Sequence, residues 1–258
     1  VSRYLFVAPF RYLRLRTELF LDKFHCNKFT SYVFPSSWVA SLVVSNLKPA
    51  SASSFLIRHD LSYLADYDPL SSNILCEPPA SFAAKKKIIY NAALDIYKNH
   101  DLLVQWFDMC LDLPVDLVLV GPLVIRSVYN TILSSTAWSL NRIHFYGRLS
   151  LSAVVDLYRS ASAALLFSDT ESFSYPIAEA FYFRLPIAFL PNQSNSELCS
   201  SFGVPVSSYS DFRSFLLGIC EDSVIFSHVE HDHLRVDYSY SSVRSVIDLA
   251  LDIAAPLD

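Results

Sequence analysis

From Ile88 onward the chain alternates between short apolar runs and longer stretches in which apolar residues recur every three or four positions. The short runs read as buried strands, and the helical recurrence reads as helices with one apolar face. The pattern predicts strands over 88–94, 117–120, 143–146, 163–167, 186–190 and 204–206. It predicts helices over 100–113 behind Asn99, over 122–134, to Ser160 behind Ser150, from Tyr175 or Pro176, from Asn195, over 211–220 and over 239–254, with 221–237 irregular. Asn and Ser suit such starts because their side chains can satisfy free N–H groups of the first turn. Strands without polar alternation, separated by helices, belong to a parallel sheet covered on both faces. The expected fold class is α/β, a doubly wound, Rossmann-like parallel sheet over 87–258.

The first 86 residues follow a different pattern and read as a partial second domain with a linker. Arg3, Arg11, Arg14 and Arg16 stand among Tyr, Phe and Leu, and 11–24 has amphipathic helical spacing. Two readings fit equally: an interior helix with snorkelling arginines, or a face that docks on a membrane surface or on a missing domain. Ser36-Ser37-Trp38 precedes a helical pattern over 38–45, and 55–57 is an extended segment before His59-Asp60. Residues 67–87 are rich in Pro and Ser, end in Lys85-Lys86-Lys87, and read as a linker.

The stretch from Leu165 to Pro191 organises the chain: apolar run, polar loop 168–174, amphipathic helix, apolar run. That is one βαβ unit. Pro176 suits the first turn of its helix, where a missing N–H costs nothing. Two carboxylates stand eight positions apart, Glu171 in the loop and Glu179 in the helix. A helix start after a strand carries free N–H groups and partial positive charge, and so can hold a phosphate. A carboxylate beyond it can accept from ribose hydroxyls, and one in the loop can address a sugar across the phosphates. Spacing alone leaves open that both are ordinary solvated glutamates.

The residues between the glutamates add a resemblance. The segment resembles the signature of retaining, nucleotide-sugar-dependent glycosyltransferases of the GT-B fold (group 1 type), roughly S-x-x-E-G-F-G-x-P-x-x-E-A followed by G-x-P. Ser168, Glu171, Phe173, Pro176, Glu179, Ala180 and Pro186 match it. Ser172 and Ser174 replace the two loop glycines, and Arg184 replaces the glycine that ends the helix. The segment Leu94–Asn99 resembles the family's phosphate segment, with Lys98 in the lysine position and Ala93 where an arginine usually stands.

The resemblance implies a glycosyltransferase domain binding a nucleotide diphosphate-sugar, with the C-terminal, donor-binding half present and most of the acceptor half absent. It gives Glu171 and Lys98 the catalytic roles, on the sugar and on the leaving diphosphate. Phe173, Ser174 and Tyr175 would hold the phosphates through their backbone, Glu179 the ribose, and Arg148, after Gly147, would supply a second cation. GT-B enzymes of this kind use no metal or other cofactor, so none is expected. Two further readings stay open: a non-catalytic glycosyltransferase-like binding or assembly subunit, because of Ala93, and a sugar-nucleotide epimerase.

Composition narrows the field. At 258 residues, 52% hydrophobic and 17% charged, the chain can bury a large core and is too apolar for a disordered protein. With four glycines it carries neither G-x-G-x-x-G nor a Walker loop. A net charge of −5 argues against nucleic acid as a partner. Cys26, Cys76, Cys110, Cys199 and Cys220 are dispersed, which points to reduced thiols and a cytoplasmic location. No apolar run is long enough for a transmembrane helix. His228, Glu230, His231, Asp232 and His233 have metal-ligand chemistry but no partner motif, and metal binding is not expected there. The expected partners are a nucleotide-sugar donor, an unknown acceptor, and a partner chain or missing N-terminal domain.

Overall fold

The structure, a computed structural model, describes residues 85–172, 174–199 and 203–224, with residues 31–34, 39–41, 45 and 53–56 nearer the N-terminus. The chain divides into two compact units, Val1–Asp60 with Val236–Asp258, and Leu61–Arg235. In the first unit, β1 (Ser31–Phe34) and β2 (Ser53–Leu56) pair in parallel, and residues 39–41 and 45 between them are helical. The extended segment expected at 55–57 thus falls at the end of β2. The proposed cap at Ser36–Trp38, the basic stretch, most of the linker, the histidine cluster and the helix expected over 239–254 lie outside the described residues.

The second unit holds a six-stranded, all-parallel sheet. Its strands are β3 (Lys86–Asn91), β4 (Val115–Val120), β5 (Ile143–Phe145), β6 (Ala163–Leu166), β7 (Ile187–Phe189) and β8 (Gly203–Pro205). The helices are α1 (His100–Asp108), α2 (Arg126–Leu133), the short α3 (Thr136–Ser139), α4 (Leu151–Ser160), α5 (Tyr175–Tyr182), α6 (Gln193–Cys199) and α7 (Tyr209–Cys220). Every residue of β4, β6 and β7 is buried, which is why these segments read as unbroken apolar runs. Leu103 on α1 and Leu117 and Leu119 on β4 have no exposed surface to speak of. Each contributes roughly 2 kcal/mol of transfer free energy.

The sheet order is β5-β4-β3-β6-β7-β8. Three strands run outward from β3 in one direction and three run outward from β6 in the other. The order therefore reverses between β3 and β6, and their carboxyl ends open a crevice of the kind in which such sheets bind ligands.

Several boundaries differ from the sequence reading for local reasons. Of the three lysines assigned to the linker's end, Lys86 and Lys87 are strand residues, with Lys87 buried opposite Asp116 on β4. The strand stops at Asn91, three residues early, and the following segment turns through a short 3-10 helix, Ile96–Lys98. The helix expected over 122–134 begins only at Arg126: Leu123 bridges Leu94, and Pro122 accepts Leu94 N–H at 2.9 Å. The start at Ser150 is as expected, with its hydroxyl accepting Ala153 N–H. The last described helix starts earlier than expected because Ser208 and Asp211 form a capping box.

Ion pairs fix the amino edge. Asp116, buried on β4, accepts from Arg142 at 2.7 Å, and that guanidinium also donates to the carbonyls of Leu111, Leu113 and Val115. Lys86 on β3 lies 2.5 Å from Asp222, just beyond α7.

Helix α5 ends with Arg184 at φ 57, in the left-handed region that glycine occupies without cost. Arg184→Gly is therefore expected to raise stability by about 1 kcal/mol. Urea denaturation reads it, and an unchanged or lower midpoint counts against the account.

Candidate functional site

The loops after β3 and β6 meet at the crevice. Leaving β3, Asp95 caps Ile96 N–H with its own carboxylate at 2.7 Å and starts the 3-10 turn. The turn ends on Asn99, at φ 51. That left-handed backbone explains why this position suits Asn or Gly. Asn99 does not cap α1 with its side chain, as the sequence suggested. Its amide instead crosses to the other loop and donates to Phe167 O at 2.9 Å and to the Asp169 carboxylate at 2.6 Å. In return Asp169 N–H donates to Tyr97 O at 2.8 Å. Buried Tyr90 donates to Lys98 O at 2.7 Å, fixing the turn from below.

These contacts aim two side chains at each other. Lys98 Nζ lies 2.5 Å from Glu171 Oε1, and the Ser168 hydroxyl donates to the same oxygen. The side chains are only 13% and 10% exposed, so the pair is largely withdrawn from water. Lys98 also stands 4.8 Å over the Tyr97 ring. Sequence separation hides this junction: the two residues are 73 positions apart.

The surroundings are held electrically quiet. His100, the first residue of α1, is buried against the Tyr90 ring at 4.8 Å between centroids. Burial, with help from the Lys98 charge, pushes its imidazole down to about 3, so it is neutral at physiological pH. Burial, reinforced by Glu171, pushes the Cys199 thiol up, and it is not a thiolate nucleophile.

Helix α5 begins beside the pair. Ser174 precedes it with no side-chain cap, and Pro176 stands in its first turn. Tyr175 at the tip is 41% exposed, whereas 177–182 are buried, Glu179 among them. The Tyr158 hydroxyl on α4 donates to Pro176 O at 3.0 Å. The serines that replace the expected loop glycines need no left-handed backbone: Ser174 has φ −104, and Ser172 is not among the positive-φ residues.

Of the residues singled out from sequence, Lys98 and Glu171 are brought into contact. Ser174 and Tyr175 form the start of α5, and Glu179 lies buried in its second turn. Arg148 is exposed in the loop after β5, the edge strand two positions from β3. Phe173 lies outside the described residues. Sequence reasoning missed the residues that hold the loop, Tyr90, Asn99, Asn192, Ser194 and Asn195. They are isolated polar or aromatic residues with no periodic signal. Among the described residues no group of His, Cys, Asp and Glu is arranged to hold a metal ion, and no helix is long and apolar enough to cross a membrane.

Comparisons with known proteins bear on this geometry. Residues 77–203 match the family model of glycosyl transferases group 1. No curated protein matches the chain by sequence. Among solved structures, Alr3699/HepE from Anabaena, in complex with UDP and glucose, superposes with a TM-score of 0.69 at 15% identity, over 92% of this chain and 67% of that one. A glycosyltransferase from Rickettsia africae gives 0.65 at 16% identity, covering 90% and 67%. Sucrose-phosphate synthase from Thermosynechococcus elongatus gives 0.68 at 13% identity, covering 93% and 63%. This chain spans about two thirds of those proteins' lengths. The likeness shows a fold shared with GT-B proteins.

Proposed function

We propose, from the match of residues 77–203 to the group 1 glycosyltransferase model, that the chain binds a nucleotide diphosphate-sugar at the β3–β6 crevice and transfers the sugar with retention of configuration. One observation carries the reading: an ammonium and a carboxylate from opposite sides of the switch point meet beside an uncapped helix start. A solved neighbour with UDP and glucose bound supports this donor class.

The chemistry follows from charge. Breaking the bond between sugar and diphosphate builds negative charge on the leaving phosphate and positive charge on the anomeric carbon. The N-terminal backbone of α5, from Ser174 and Tyr175 with Phe173, holds the diphosphate, and Lys98 neutralises it as it leaves. Without donor, the Lys98 charge is balanced by Glu171. As the phosphate gains charge it draws Lys98 away, and Glu171 is left facing the sugar hydroxyls and the cationic ring. A unit charge at about 4 Å contributes roughly 4 kcal/mol at the effective dielectric of a protein surface. Glu179 receives the ribose hydroxyls, and Arg148 approaches the nucleotide from the neighbouring loop. The acceptor attacks on the face the diphosphate leaves, and its proton passes to the departing phosphate oxygen. No metal or cofactor enters this scheme.

Ala93 favours a second reading, a binding or assembly subunit without turnover, because the family's arginine would be the second cation on the diphosphate. Incubation with a nucleotide-sugar separates the two. Transfer predicts slow release of nucleoside diphosphate, and a non-catalytic subunit predicts binding without release. Glu179→Ala is expected to weaken nucleotide-sugar binding about tenfold or more by calorimetry. Unchanged affinity would remove Glu179 from the site and with it the ribose assignment.

A further inference from the structure

The loop that carries Glu171 is held from its other side by a cluster that nothing in the donor chemistry requires. Asn192, Ser194 and Asn195 come from the turn after β7 and the first residues of α6. Asn195, fully buried, donates to Leu190 O at 2.9 Å, at the end of β7, and to Ser168 O at 2.8 Å. Asn192 donates to the same Ser168 carbonyl at 3.0 Å. The Ser194 hydroxyl accepts Glu171 N–H at 2.9 Å and donates to Asn192 Oδ1 at 2.9 Å, while Asn195 N–H also reaches that oxygen at 2.9 Å. Ser168 and Ser194 are buried as well.

The two ends of the loop's functional segment are therefore fixed through side-chain amides and one hydroxyl. Ser168 is held at its carbonyl, and its own hydroxyl binds the Glu171 carboxylate. Glu171 is held at its backbone N–H. Side-chain amides present fixed donors and acceptors, and buried networks in which each member is satisfied rigidify what they touch. With serines in place of glycines at 172 and 174, the loop's shape depends on contacts of this kind rather than on glycine turns.

We infer that Ser194 and Asn195 are positioning residues for Glu171, setting how well the site tells a nucleotide diphosphate-sugar from the bare nucleoside diphosphate. The inference rests on the donor reading above, because Glu171 is the group assigned to the sugar while Lys98 and the start of α5 serve the phosphates. A displaced Glu171 carboxylate loses the sugar and leaves the phosphate contacts in place.

The experiment compares UDP with UDP-glucose, and GDP with GDP-mannose, by calorimetry on the full chain. In Ser194→Ala the affinity for the nucleotide-sugar is expected to fall about tenfold, with that for the nucleoside diphosphate within about twofold of the parent. Ser194→Thr, which keeps the hydroxyl, restores the ratio. Asn195→Ala behaves like Ser194→Ala, and thermal unfolding verifies that each variant is folded. Equal weakening of both ligands, or no change in either, overturns the positioning role while leaving the donor reading intact. If the parent protein binds none of the four ligands, the donor reading fails and the positioning role falls with it.

Discussion

Replacing Lys98 with methionine is expected to destabilise the α/β unit by about 3 kcal/mol and to abolish measurable release of nucleoside diphosphate. The stability loss comes from Glu171, which would be left buried and charged without its partner. Removing one member of a buried pair costs about 3–5 kcal/mol, and the residual exposure of this pair places it at the lower end. The activity loss comes from the leaving group, since one such electrostatic contact is worth about 10²–10³ in rate. The two effects separate in a double variant. Lys98→Met with Glu171→Gln removes both charges, so most of the stability should return while activity does not. Urea denaturation and a product-release assay read the two quantities. A single variant as stable as the parent would mean that Glu171 readily turns to water. Full activity in Lys98→Met would remove this lysine from the chemistry.

Gly121→Ala is the second large effect, and it acts through the backbone. Gly121 follows β4 with φ 138, and a Cβ there would stand 2.3 Å from Ala92 O and 2.6 Å from Ala92 C. Its N–H donates to Gly147 O at 2.8 Å, lacing the loops after β4 and β5 together. Backbone atoms cannot turn aside as a side-chain tip can. The added methyl must push the segment that leaves β3, which continues into the Lys98 turn. Strain and overpacking together are expected to cost about 4 kcal/mol. A drop of less than about 1 kcal/mol in the denaturation free energy would show that the β3 loop is softer than its geometry implies.

These sites differ in how far the sequence announces them. The βα alternation from Ile88 is legible because parallel strands are buried on both faces, so runs such as Ala163–Leu166 stand out without any partner being known. The helix start at Tyr175 is legible from Pro176, and the α4 start from Ser150. Glu171, Glu179 and Lys98 were picked out by a motif, and spacing alone did not distinguish them from solvated side chains. The Lys98–Glu171 contact itself was not legible, because strand order, not chain order, makes β3 and β6 neighbours. Asn99 reads in sequence as a local cap and is a cross-link between loops, its amide donating to Phe167 O and Asp169 instead of to α1. Asn195 reads in sequence as a helix opener and lies within the first turn of α6, reaching back to the loops that follow β6 and β7. In both cases an asparagine's local preference was outweighed by a buried carbonyl that needed a donor.

The pairing of Lys86 with Asp222 has a topological corollary. It ties the start of the first strand of the α/β sheet to the turn after its last described helix, so the described residues of the sheet start and finish at one corner. Joining 224 to 85 by a short peptide and reopening the chain at the exposed turn near Asn141 would keep every strand in its register. A permuted chain of the described residues is expected to fold to the same strand order, read by its circular dichroism and urea denaturation.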